Sequence, residues 1–258
     1  MNRKALNSLF DDAIDELEIT YDVYFEIERY RRRSVHIADR LLSKGTRQGK
    51  VLVLGSNEKP FAMMLDKLGF QAEGFSLHQK LEYDNKNEGA TMSSVLREIR
   101  DLQSEYDIII CDDVLQRLVS PSDTLKMLRD HLRPGGVLMV TTPNMARGTA
   151  RLRLLTGKNI CQPVACDESP EDEDKQIMPY REYTLRELEM LVKDAGLELT
   201  ESEFIIGMNV NANIWPPMPV KEYFFQKLFL AVQKIAPPLR NYLYAAGRRL
   251  SAKVEKST

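Results

Sequence analysis

Three short stretches hold the residues best placed for chemistry: Gly55-Ser56-Asn57, the neighbourhood of Ser76, and Asp112-Asp113. The second closes a plausible strand over 71–76 (QAEGFS). The other two follow apolar runs: 50–54 (KVLVL) stops at Gly55, and 106–111 (YDIIIC) stops at Asp112. Short apolar runs closed in this way read as strands buried on both faces. In an open parallel sheet the carboxyl ends of the strands lie together, and ligands bind outside them. A tight turn at Gly55 leading into a helix exposes backbone N–H groups that receive a carboxylate or a phosphate. The second strand end of this architecture usually carries an acid for ribose hydroxyls; that position is Ser76. Asp112 and Asp113 bring charge to the third end, where a solvated pair capping the next turn is the plainer alternative.

The elements that must position these ends alternate between helix and strand. Residues 5–43 read as helical. Within them, Arg29-Tyr30-Arg31-Arg32-Arg33 has the charge to bind phosphates, and a solvated helix face is the simpler reading. A helix follows the first strand over 60–68, opened by Pro60 and closed by Gly69. Residues 77–92 are polar and irregular, and 93–104 read as a helix. Ser120-Pro121 opens another helix, with Ser120 as its cap. It ends at Arg133-Pro134-Gly135-Gly136, before a strand at 137–141 closed by Pro143-Asn144.

Residues 145–180 read as an insertion: a basic helix over 147–155, then the acidic stretch 167–174 (DESPEDED). Thr184-Leu185-Arg186-Glu187 is a capping-box pattern that opens a helix to Ala195. A strand over 197–206, an amphipathic helix over 220–235 and a last strand over 240–246 complete the chain. The fold class is therefore α/β, a doubly wound, Rossmann-like sheet. We expect an N-terminal helical segment, 1–45, before a Rossmann-like domain, 46–258.

Composition narrows the partners. Lys plus Arg total 36 against 38 Asp plus Glu, so no net charge drives the chain toward nucleic acid. Cys111, Cys161 and Cys166 make no even disulfide set and no CxxC pair, which fits a reducing, cytoplasmic setting and gives no metal-ligand pattern. The N-terminus has charges where a signal peptide needs an apolar core. The run 223–230 (YFFQKLFL), helped by Arg248-Arg249, suits a weak peripheral membrane contact; a helix packed on the sheet is the duller alternative.

From Tyr106 to Asn144 the sequence resembles the class I S-adenosylmethionine-dependent methyltransferase family. YDIIICDDVL (106–115) is similar to that family's fourth strand and the segment after it. LRDHLRPGGVLMVTT (128–142) is similar to its helix end, Pro-Gly-Gly turn and fifth strand. The resemblance spans roughly 35–249. It implies a seven-stranded sheet with the last strand antiparallel and S-adenosylmethionine as methyl donor, bound by Gly55, Ser56, Asn57, Ser76 and Asp112. It places Asp113, Arg117 and Asn144 on the side of a small-molecule or glycan-type acceptor. No general base is assigned; His78 and His131 qualify by chemistry only.

The sequence departs from the family's acid-x-Gly-x-Gly-x-Gly loop. Val53 stands at the acid, Asn57 and Lys59 at the later glycines, and Lys59 would bring bulk near the methionine end. Gln116-Arg117 replace Glu-His. A hydrogen bond to a charged group contributes about 1.5–3 kcal/mol, so a missing ribose carboxylate weakens binding roughly 10- to 150-fold. The alternative function is therefore a catalytically inactive methyltransferase-like protein serving as a binding or regulatory subunit of a protein partner. A nicotinamide enzyme is disfavoured because GxGxxG is absent.

Overall fold

The computed structural model describes residues 2–18, 24–55, 58–76, 99–102, 105–118, 120–160, 181–206 and 220–251. Their central feature is a six-stranded sheet in the order β2-β1-β3-β4-β6-β5. The strands are β1 (Lys50–Gly55), β2 (Gln71–Ser76), β3 (Tyr106–Asp112), β4 (Leu132–Pro143), β5 (Glu198–Ile205) and β6 (Tyr242–Arg248). β1 pairs in parallel with β2 and β3, β3 pairs in parallel with β4, and β6 is antiparallel to both neighbours. The antiparallel last strand is as the resemblance implies. The count is corrected from seven to six among the described residues: β2 is the edge, and the link where a seventh would fall, 77–98, lies outside them.

Helices cover both faces. On one side lie α1 (Arg3–Glu16), α2 (Tyr24–Ser43) and α3 (Glu58–Lys67). Leu6 and Phe10 of α1, Ile37 and Leu41 of α2, and Met64 and Leu65 of α3 share a core with Val51, Val53, Ile108 and Ile110. The period-3.6 faces of these helices thus meet the period-2 face of the sheet. On the other side lie α4 (Pro121–Asp130) and α6 (Leu185–Asp194), which bury Leu125, Leu128, Leu188 and Val192 against Leu52, Leu54, Ile109 and Leu138. α5 (Gly148–Leu155) and α7 (Val220–Ile235) flank the turn before β6.

Local signals account for several boundaries. Thr184 and Glu187 form the complete capping box at the start of α6. Ser120 precedes α4, but its hydroxyl donates to Asp123 rather than capping the helix backbone. α3 begins at Glu58, two residues before Pro60, so only Ser56 and Asn57 separate it from β1. Both lie outside the described residues.

Candidate functional site

Strand register brings the expected ends into one row. Gly55 pairs with Ser76 on one side and with Asp112 on the other, and Asp112 pairs with Thr141 of β4. The approach at Gly55 is close: a Cβ there would lie 2.9 Å from the Asp112 carbonyl oxygen. Glycine is required because the backbone of β3 fills that space. Gly74 plays a similar part in β2, where a Cβ would stand 3.0 Å from the Glu58 side chain. Glu58 is itself buried, a carboxylate at the start of α3 beside the row. It carries an interaction that sequence reasoning did not foresee.

The charge at the row is arranged by α2. Arg33, fully buried, donates from Nε to Asp112 Oδ1 at 2.8 Å and from Nη2 to Asp112 Oδ2 at 3.3 Å. Asp113 Oδ2 lies 3.5 Å from the same Nη2. The guanidinium also lies over the rings of Tyr30, at 5.0 Å, and Tyr242, at 4.7 Å. Burial pushes Arg33 toward losing its proton, but Asp112 and Asp113 outweigh it and hold it well above the ordinary arginine range. Thr141 donates to Asp112 Oδ1 from the next strand. One donor remains: among the described residues, Arg33 Nη1 is buried without a hydrogen-bond partner. A buried orphan of this kind calls for a ligand or a water.

The expectation of a solvated arginine face is corrected here. Arg29 is exposed, Arg31 and Arg32 are half-buried, and Arg33 is fully enclosed. Lys59 also differs from expectation. It is exposed on α3, so its charge does not fill the row.

The acceptor-side residues divide. Asp113 sits at the row with φ of 59°, a left-handed conformation that Asp tolerates better than most residues. Its backbone N–H donates to Thr141 O, and its carboxylate accepts from Gln116 Nε2 at 2.9 Å. Gln116 in turn accepts from Thr142, tying the segment after β3 to β4. Arg117 keeps a buried Nη1 without a hydrogen-bond partner among the described residues. Asn144 is fully buried, its amide donating to the carbonyls of Pro238 and Arg240 and accepting from Ala146 N. It fastens the turn before β6 instead of opening toward an acceptor.

His131 ends α4, and its carbonyl accepts from Tyr106 N at the start of β3. A seven-residue strand is roughly 20 Å long, so His131 lies at the opposite end of the sheet from Asp112. His78 lies outside the described residues. Among the described residues, no group of three His, Cys, Asp or Glu side chains could hold a metal ion.

A model of the family described as the methyltransferase domain matches residues 26–202. The chain belongs to this family. Its members are class I, S-adenosylmethionine-dependent methyltransferases, and S-adenosylmethionine is the family's cofactor. The match takes in α2 and Arg33 together with all three strand ends of the row. No curated protein matches the chain significantly in sequence.

Among solved structures, the chain is similar to 1,6-didemethyltoxoflavin-N1-methyltransferase from Burkholderia thailandensis, bound to 1,6-didemethyltoxoflavin and S-adenosylhomocysteine. The identity is 14%, the TM-score is 0.48, and 96% of this chain and 87% of that one are covered. It is similar also to a SAM-dependent methyltransferase from Archaeoglobus fulgidus, at 9% identity and a TM-score of 0.46, covering 88% and 100% of the two chains.

Proposed function

We propose that the protein transfers a methyl group from S-adenosylmethionine to a small-molecule or glycan-type acceptor. The observation that carries this reading is the row Ser76–Gly55–Asp112, three ligand-facing strand ends in direct register beside a buried arginine with an uncommitted donor. The residues present fit the cofactor in kind. Arg33 Nη1 would be a donor for its carboxylate, and Ser56, Asn57 and Ser76 are polar residue types. S-adenosylmethionine supplies an electrophilic sulfonium methyl group, open to direct displacement by a nucleophile. The chain's own contribution is to position and to hold charge. Arg33 neutralises Asp112, while Asp113 and Arg117 stand on the acceptor side. Binding and transfer are tested by calorimetry with S-adenosylhomocysteine and by label transfer from methyl-labelled donor to an acceptor panel. Absence of binding at millimolar concentration would remove this reading.

The second reading, an inactive methyltransferase-like subunit of a protein partner, draws on Val53. That side chain is fully buried at the position of the family's usual loop acid, and Asp112 is already occupied by Arg33. Methyl transfer by the purified chain alone contradicts it. A cytoplasmic setting suits either reading, since Cys111 is unpaired and buried.

A weak membrane contact is carried by α5 rather than by the arginines near the C-terminus. Leu152 and Leu155 are 62% and 85% exposed on the helix that carries Arg151 and Arg153, which bond only to carbonyl oxygens among the described residues. Phe229 of α7 packs on Gly148 of α5. Arg249 instead binds the carbonyls of Arg129, Asp130 and Leu132 at the far end of the sheet. No helix among the described residues is long and apolar enough to cross a membrane. Co-sedimentation with anionic vesicles, lost in a Leu152→Glu, Leu155→Glu double variant, tests the contact; equal pelleting of both proteins argues against it.

A further inference from the structure

A cavity of about 530 Å³ opens on the face covered by α1 and α2, between these helices and the end of β5. Its charged lining includes Arg3, Arg31, Arg32 and Arg240 against Glu28 and Glu203. The acids are already engaged. Glu28 accepts from Arg31 and lies 3.6 Å from Arg32 Nε. Glu203 is held by His36 at 3.0 Å and by Arg40. From outside the cavity, Asp39 pairs with Arg3 and Asp11 with Arg31.

Two guanidiniums are left short of negative charge. Arg240 donates only to backbone carbonyls, of Gln233 and Phe204, and has no carboxylate partner among the described residues. Arg32 shares its one carboxylate with Arg31. Arg31 and Arg32 each also keep a buried Nε with no hydrogen-bond acceptor among the described residues. Burial pushes the Arg32 guanidinium down, and the positive charges of Arg31 and Arg3 push it the same way against Glu28. Several arginine donors meeting few acceptors in a concave space match a tetrahedral anion, whose oxygens take bidentate guanidinium contacts.

We propose that this cavity binds the phosphoryl group of a small phosphorylated molecule, with Arg32 and Arg240 as the principal contacts. The volume exceeds what a bare phosphate needs and falls in the range of small-molecule sites. The end of β5 lies at the same edge of the sheet as Asp112, since β5 runs parallel to β3 and β4 through the antiparallel β6. The site is nevertheless distinct in its residues from the row at Gly55, and it does not depend on methyl transfer.

Calorimetry of the full chain with inorganic phosphate, pyrophosphate and glycerol 3-phosphate, at ionic strength matched with chloride, tests the site. Saturable binding of at least one is expected, weakened tenfold or more in Arg240→Gln and in Arg32→Gln. Preference for glycerol 3-phosphate marks a phosphate ester as the ligand, and equal binding of inorganic phosphate marks the free anion; both support the phosphoryl site. Circular dichroism melting checks that each variant folds, and Arg240→Lys, which keeps the charge, should recover part of the affinity. The exposed Arg186→Gln change on α6 should leave binding unaltered. The proposal is overturned if none of the three ligands binds above the chloride control at 10 mM, on the order of ordinary non-specific ion effects. It is overturned equally if folded Arg240→Gln and Arg32→Gln bind as the wild type does, or if Arg186→Gln weakens binding as much as they do.

Discussion

Arg33 and Asp112 form a buried ion pair whose partners come from α2 and from the end of β3. Removing one partner of such a pair leaves an uncompensated charge in the interior, which costs about 3–5 kcal/mol. Arg33→Met is therefore expected to lower unfolding stability by about that amount in urea titration, and Asp112→Asn by a comparable amount. A shift under 1 kcal/mol in both, on the order of an exposed pair, would show that the two charges are not enclosed together. Cys111 precedes Asp112, and burial with the nearby aspartates pushes its thiol up to about 12. Site-resolved mass spectrometry should find Cys111 unmodified by a thiol reagent at pH 8 in the native protein and labelled after denaturation. The sequence shows the RYRRR run but not which arginine is enclosed. Successive helix residues differ by about 100° in direction, so adjacent arginines meet different surroundings: Arg32 faces Glu28 of its own helix and Arg33 meets Asp112.

At the scale of elements, two strand ends were legible because their types are distinctive: apolar runs stopped by Gly55 and Asp112. The capping box of α6 was legible for the same local reason, and Thr184→Ala should cost about 1 kcal/mol, measurable by urea titration. Gly55→Ala forces β1 away from the Asp112 carbonyl and is expected to cost about 1–3 kcal/mol, as overpacking does. What the sequence hides is the cross-element clasp between α2 and β5. Glu203 accepts from His36 and Arg40, and Lys44 pairs with Glu201. Burial pushes the Glu203 carboxyl up, but the hydrogen bond and charge of His36 and the charge of Arg40 outweigh it, leaving it below its ordinary range. A lowered carboxyl stabilises the fold fully above the unfolded value, roughly 4.3, and this contribution is lost as pH falls through the folded value. Glu203→Gln should flatten the acid limb of the stability profile below about pH 5. An unchanged acid limb would assign that slope to other carboxylates.

Across the whole molecule, the N-terminal helices are joined to the sheet. Leu6, Phe10, Ile37 and Leu41 share one core with Val51, Val53 and Tyr244, and Arg33 extends that contact to the row of strand ends. Amphipathic periodicity announces such helices without naming the surface they cover, which is why Arg33, from a segment read as preceding the main domain, was missed as a site residue. The strand order and the antiparallel β6 follow from the resemblance carried by 106–144, whereas the grip on the donor rests on contacts between segments far apart in sequence. The central claim is that this row, although it has lost the usual glycines and acid, still binds the methyl donor. Titration of the purified chain with S-adenosylhomocysteine in a calorimeter tests it most directly. Saturable binding with one site per chain, weakened at least tenfold in a folded Arg33→Gln variant, on the order of one lost charged hydrogen bond, is the predicted result. No heat of binding at millimolar ligand, or equal binding by the variant, would contradict it.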